Sequence, residues 1–172
     1  MSRIIRDTNI LPPTGQTTSY SDYDDGYYKK GWKRGTRFIE FTSGGIALVK
    51  DKATGLIWPK IWNSLGGNNA LAIPSWQSAI AYAADNLNTI TWAGYSDWRL
   101  PNINELCSIL DYSNSVNGFF NVFTPTGASS FFWVSTTFSF DSTLAYCIRG
   151  LPQVTNYFSK SYPNCLLICC RG

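Results

Sequence analysis

The sequence predicts an α+β fold, and three observations carry that expectation. Two stretches, SWQSAIAYAADNLN and PNINELCSIL, combine helical spacing of apolar residues with a capping residue at the start. After Asp111 the chain turns rich in Phe, Ser, Thr, Asn and Gly, with short runs of strand-forming residues. Two helices followed by several strands argue for an α+β domain.

Taken in order, residues 1–37 are polar, with Pro12, Pro13 and several glycines, and form an irregular N-terminal segment. Asp22, Asp24 and Asp25 precede the basic residues Lys29, Lys30, Lys33, Arg34 and Arg37. The aspartates and Gly26 suggest a calcium loop, but no acidic residue arrives at the twelfth place of an EF-hand, so a turn held by Asp side chains is expected there. IALVK, DKATG and LIW (46–58) read as strand, turn and strand, with Asp51 and Gly55 supplying turn chemistry. In the first helix Ser75 is the cap, and Trp76, Ala79, Ile80, Ala83, Ala84 and Leu87 share one face. In the second, Asn102 and Glu105 have the spacing of a capping box, and Ile103, Leu106, Cys107 and Leu110 form the buried stripe. Strands are expected at 131–136, 144–149, 153–158 and 165–169.

At 172 residues the chain is expected to be one domain, 1–172. Charged residues make up 15%, against roughly 25% in average soluble proteins. Sixteen of the 25 charges lie in residues 1–60 and four in residues 112–172, so the last third presents neutral and apolar groups wherever it meets the surface. A net charge of +3 gives no case for nucleic acid or an anionic membrane. No apolar run reaches the roughly 18–20 residues of a membrane span. MSRIIRDTNILPPTG lacks the apolar region of a signal peptide. The chain is therefore expected to start in the cytoplasm. From there it stays, joins an assembly that leaves, such as a virus particle, or has lost a leader.

Catalytic groups are sparse. There is no His, so Ser-His-Asp and Cys-His arrangements are impossible. GxSxG, GxGxxG and Walker loops are missing, and no cofactor is expected. Asp97 and Glu105 could be imagined as an acid and base, but Asp97 beside Trp98 and Arg99 reads as an ion pair or backbone cap. The five cysteines, Cys107, Cys147, Cys165, Cys169 and Cys170, form no CxxC and read as free thiols. No metal site and no enzyme activity are expected.

TGQTTSY…DDGYYKKGW, DKATGLIW, AGYSDWRLPNINEL and FFWVSTT together resemble the C-terminal ligand-binding domain of bacterial collagen-like adhesins, the Lcl-type C-terminal domain. The resemblance spans about Thr14 to Gly172. It implies a C-type-lectin-like fold of the formylglycine-generating-enzyme subtype, with two helices and a twisted antiparallel sheet. It implies that Trp98, Arg99, Leu100 and Pro101 are scaffold, with Pro101 starting the second helix. Family members bind ligands and in the main are not enzymes. The EPN or QPD triplet and the WND of calcium-dependent sugar-binding lectins are absent.

The family and fold also include the variable proteins of diversity-generating retroelements. There an error-prone copy mutates template adenines, and AAY codons yield Phe, Leu, Ser, Tyr, Asp, Cys or Arg but never Glu, Gln, Lys, Met or Trp. Residues 134–170 contain no Glu, Met or Trp, one Lys and one Gln, and four of the five cysteines. At the end of the chain Arg171 and Gly172 match the family pattern, whereas Ile168 and Cys170 depart from it. A β-rich segment is normally poor in Glu, Lys and Met in any case.

On this resemblance Trp133, Ala145, Val154 and Leu167 hold the sheet. The candidate outward face comprises Phe138, Phe140, Asp141, Leu144, Cys147, Arg149, Leu151, Pro152, Tyr157, Phe158, Tyr162, Asn164, Cys165, Leu166 and Ile168. The expected partner is a protein ligand or cell-surface receptor, met on a virus tail or a cell surface. Three alternatives stay open. One is an adhesin-type domain with a fixed ligand, such as a glycosaminoglycan on the Lys29–Arg37 basic cluster. The others are an enzyme of the formylglycine-generating type and a structural particle component.

Overall fold

The computed structural model describes residues 11–62, 73–127 and 129–172. Residues 1–10, on which the reading of the leader rests, lie outside them. The architecture is α+β, with short helices and two three-stranded antiparallel sheets.

The N-terminal segment holds one helical turn, α1 (Asp25–Tyr28), capped by the Asp24 side chain. Strands β1 (Phe38–Ser43) and β2 (Ile46–Asp51) pair from Phe38–Asp51 to Ser43–Ile46. The two residues between them are Gly44 and Gly45, both at positive φ, as a tight two-residue hairpin requires. Asp51 then turns the chain into β3 (Ile57–Pro59) by accepting from Ala53 N and Thr54 Oγ1, with Gly55 at φ +81°.

Helix α2 (Trp76–Ala81) is capped by Ser75, whose Oγ accepts from Ser78 N, and continues as a π-helical turn over Tyr82–Leu87. Its buried stripe is narrower than its sequence suggests. Ala79, Ala83 and Leu87 are fully buried, whereas Ile80 and Ala84 face outward. Helix α3 (Ile103–Cys107) has the complete capping box: Glu105 N donates to Asn102 Oδ1 and Asn102 N to Glu105 Oε2. Pro101 does not start this helix; it stands one residue before the cap, and its carbonyl accepts from Ser135 N, tying the helix entry to the second sheet.

That sheet comprises β4 (Phe131–Thr137), β5 (Leu144–Arg149) and β6 (Val154–Ser159), in that order. β5 is buried on both faces. Ala145 and Cys147 join one core cluster with Trp98, Trp133 and Leu167. Ile148 joins the other, with Trp58, Trp62, Phe119 and Phe132.

The last segment is not the expected strand over 165–169. It is extended chain threading between the two sheets. Leu166 N donates to Phe131 O, and Trp133 N to Leu166 O. Cys170 exchanges both backbone hydrogen bonds with Arg99, and Arg171 does the same with Ile57. The apolar, cysteine-rich ending is thus the seam of the fold. Its side chains alternate between the two core clusters, so neither face carries the polar residues that mark a half-exposed strand. Outside it, Arg171 reaches Asp97 (Nη2–Oδ2 3.0 Å) and lies over the Tyr95 ring, fastening the chain end.

Candidate functional site

Four aromatic rings gather on the surface of the second sheet. Phe138 and Phe140 come from the loop between β4 and β5, Tyr146 from β5 and Tyr157 from β6. The register sets Tyr146 directly opposite Tyr157, so both side chains project from one face. The Phe138 and Tyr157 rings stack at 4.1 Å between centroids and 18° between planes. Tyr146 meets Phe138 edge-on at 5.4 Å, and Phe140 sits 5.6 Å from Phe138. Phe140 is 90% exposed and Tyr157 45%. Such area in water costs hydrophobic free energy, about 25 cal/mol per Å², and a cluster of this kind marks an interaction surface.

The loop that carries it is locally determined. Asp141 N donates to Phe138 O, and Leu144 N to Asp141 O. Asp141 Oδ1 accepts from Thr143 N (2.8 Å) and Thr143 Oγ1 (2.7 Å), which holds this carboxyl below the usual range. The turn therefore needs no contribution from the phenylalanines it presents.

The candidate face divides into four groups. Phe138, Phe140, Asp141 and Tyr157 come together, with Leu144 at the start of β5 beside them. Arg149, Phe158 and Tyr162 lie on the opposite side of the sheet. There Phe158 stacks on Tyr162, and the Arg149 guanidinium covers Phe131. Leu151 and Pro152 sit in the β5–β6 turn, and Asn164 is exposed just before the chain end enters the core.

The fourth group is a correction: Cys147, Cys165 and Ile168 are fully buried, and Leu166 is half-buried against the second core cluster. An alternation of one inner and one outer face does not apply to β5 or to the threaded chain end. Among the scaffold residues Trp98, Pro101 and Trp133 are buried, while Arg99 is exposed and pairs with Glu105. Tyr146 completes the cluster and was not among the candidates. Its signal was available only through strand register, which pairs the half-buried Tyr146 with Tyr157.

The thiols are sequestered. Cys147, Cys165, Cys169 and Cys170 have no exposure, and Cys107 is half-buried. Burial pushes Cys170 up to about 12, and Cys169 also lies well above the ordinary thiol range. These groups stay protonated near neutrality and are poor nucleophiles. The imagined acid–base pair is bound in ion pairs, Asp97 with Arg171 and Glu105 with Arg99, and both carboxyls are lowered by their arginine partners.

In the N-terminal segment Asp24 is a structural hub. Its Oδ2 accepts from Gln16 Nε2, Tyr20 N and Ser21 N, and its Oδ1 from Tyr27 N. The side chain is thus used as a cap. Arg37 does not belong to a basic surface patch. It is buried, bidentate with Asp51 (2.8 and 2.7 Å), and donates to Ser108 O. Lys29, Lys30 and Lys33 remain exposed beside a cleft of about 350 Å³ that Trp32, Asp25 and Asp111 also line.

No helix among the described residues is long and apolar enough to cross a membrane. No curated protein matches the sequence. The family model of the Lcl C-terminal domain matches residues 47–171, which take in the second sheet, the aromatic cluster, the threaded chain end and, of the first sheet, β3 and nearly all of β2 but not β1. The chain belongs to the Lcl C-terminal domain family, whose members are adhesin-like or binding domains.

Proposed function

We propose that this is a non-catalytic binding domain of C-type-lectin-like fold, in the formylglycine-generating-enzyme subtype. It engages a protein ligand or cell-surface receptor through the face built by Phe138, Phe140, Tyr146 and Tyr157. The observation that carries the reading is the exposed ring cluster on a turn and a sheet that fix its geometry independently. Aromatic side chains give large contact area for little conformational entropy, which suits a paratope-like surface. The cluster lies on open surface, which fits a macromolecule better than an enclosed small molecule.

We further propose that the adenine-directed copying of a retroelement diversifies this face, on a virus tail or a cell surface. Phe138, Phe140, Asp141, Tyr146 and Tyr157 all lie within 134–170, and all are residues that mutated AAY codons can produce. The buried cysteines no longer support the idea, because they need no function as exposed thiols. Sequencing the gene from many individuals of one population tests it. Variation concentrated at the ring cluster and at Asp141, with 165–171 held fixed, is the expected outcome. A loop as invariant as the core removes diversification and leaves a fixed interface.

A second reading rests on the cleft lined by Lys29, Lys30, Lys33 and Trp32. Three ammonium groups beside an indole suit an anionic polymer, as expected of an adhesin with a fixed ligand. Its affinity would fall steeply with salt, whereas binding at the ring cluster would change little.

A further inference from the structure

The chain supplies its own cations to several of its other accessible rings. Lys30 lies over Tyr28, Lys52 over Trp32, Lys160 over Trp76, Arg149 over Phe131 and Arg171 over Tyr95. The buried Arg37 covers Phe38 and Phe120 in the same way. Among the described residues the cluster of Phe138, Phe140, Tyr146 and Tyr157 has no such partner.

Its charged neighbour is an acid. Asp141 follows Phe140 directly and is exposed. One carboxylate oxygen anchors the turn through Thr143, and the other has no partner among the described residues. The three basic residues of 134–172 are engaged elsewhere: Arg149 and Lys160 on rings, with Lys160 also bonded to Thr137 Oγ1, and Arg171 with Asp97. The face therefore offers ring quadrupoles, negative at their faces, beside a carboxylate with an open oxygen.

Building on the binding role proposed above, we infer that the partner is a protein presenting an Arg side chain to this face. Its guanidinium stacks on the exposed rings and pairs with Asp141. Arg fits better than Lys because its planar, weakly hydrated cation can stack and donate to a carboxylate at once. Arg171, which lies over Tyr95 and pairs with Asp97, shows the same combination elsewhere in this chain.

The test uses the whole chain with ring resonances labelled. It is titrated with acetyl-Gly-Arg-Gly-amide and with the same peptide carrying citrulline, a neutral near-isostere of arginine. The arginine peptide should shift the Tyr157, Phe138 and Phe140 resonances saturably and bind about 3- to 30-fold more tightly than the citrulline peptide, the range for one cation–π contact. Asp141→Asn should reduce that preference severalfold while the unbound ring resonances stay in place. Equal shifts from both peptides overturn the cation, while leaving the face as an apolar binding surface. Shifts elsewhere on the molecule, or none, overturn the inference; the population sequencing still decides separately whether the face binds a variable ligand.

Discussion

Phe138 and Tyr157 stack face to face at 4.1 Å although they come from a loop and a strand separated by β5. The turn that orders Phe138 is closed by Asp141 and Thr143, and β6 is held by its register with β5. The rings thus exploit a geometry that they do not create. Phe140→Ala and Tyr157→Ser should each change stability by less than about 1 kcal/mol, since neither side chain fills the core. Both should weaken partner binding by about tenfold or more, as central aromatic contacts do. Thermal melts and binding measured on the same samples check the separation.

The cysteines carry the opposite expectation. With four of five fully buried, a thiol reagent should modify at most Cys107 in the native protein within minutes, and all five after unfolding. Cys170→Ser should cost about 1–3 kcal/mol, because a buried hydroxyl without a partner replaces a small apolar group. Rapid modification of three or more native thiols would contradict the threaded chain end.

Arg37 and Asp51 form a buried pair between the segment leading into β1 and the end of β2. Removing the cation leaves the carboxylate buried with only Ala53 N and Thr54 Oγ1 as donors. Arg37→Met should cost about 3–5 kcal/mol, measured by denaturant unfolding. A loss under 1 kcal/mol would show that the pair is not desolvated.

The exposed pairs set an acid limit. The hydrogen bond from Arg171 lowers Asp97, and that from Arg99 lowers Glu105. Depressed folded values mean that the stabilisation is complete above the unfolded values of 3.8 and 4.5 and is lost as pH falls below them. Both pairs are partly exposed, so each contributes only about 0.2–1 kcal/mol. The melting temperature should therefore fall below about pH 4.5. That drop should be smaller in a variant combining Asp97→Asn with Glu105→Gln.

Much of the fold was legible wherever its cause was local. The Asn102–Glu105 capping box, the Asp51 turn, the Ser75 cap and the bounds of β5 all follow from residues within a few positions of one another. The path of the chain end was not legible, because its partners Phe131, Arg99 and Ile57 lie far away in sequence. Its apolar character was visible but read equally well as a sticky surface. The same ambiguity misplaced Cys147, Cys165 and Ile168, while Phe138, Phe140 and Tyr157 lie where local turns and alternation put them. Tyr146 needed the register with β6, which no local pattern supplies.

The measurement that tests the account most directly is saturation mutagenesis of residues 134–171, scored for folding by protease resistance and for binding of acetyl-Gly-Arg-Gly-amide. The account predicts that Phe140, Tyr157 and Asn164 accept nearly every residue and stay folded, with binding lost at the first two. It predicts that Cys147, Cys165 and Cys170 accept only small apolar residues, and Ile168 only apolar residues of about its own size. Unfolding as frequent at Phe140 and Tyr157 as at Cys165 and Ile168 would contradict the division between a binding face and the core that carries it.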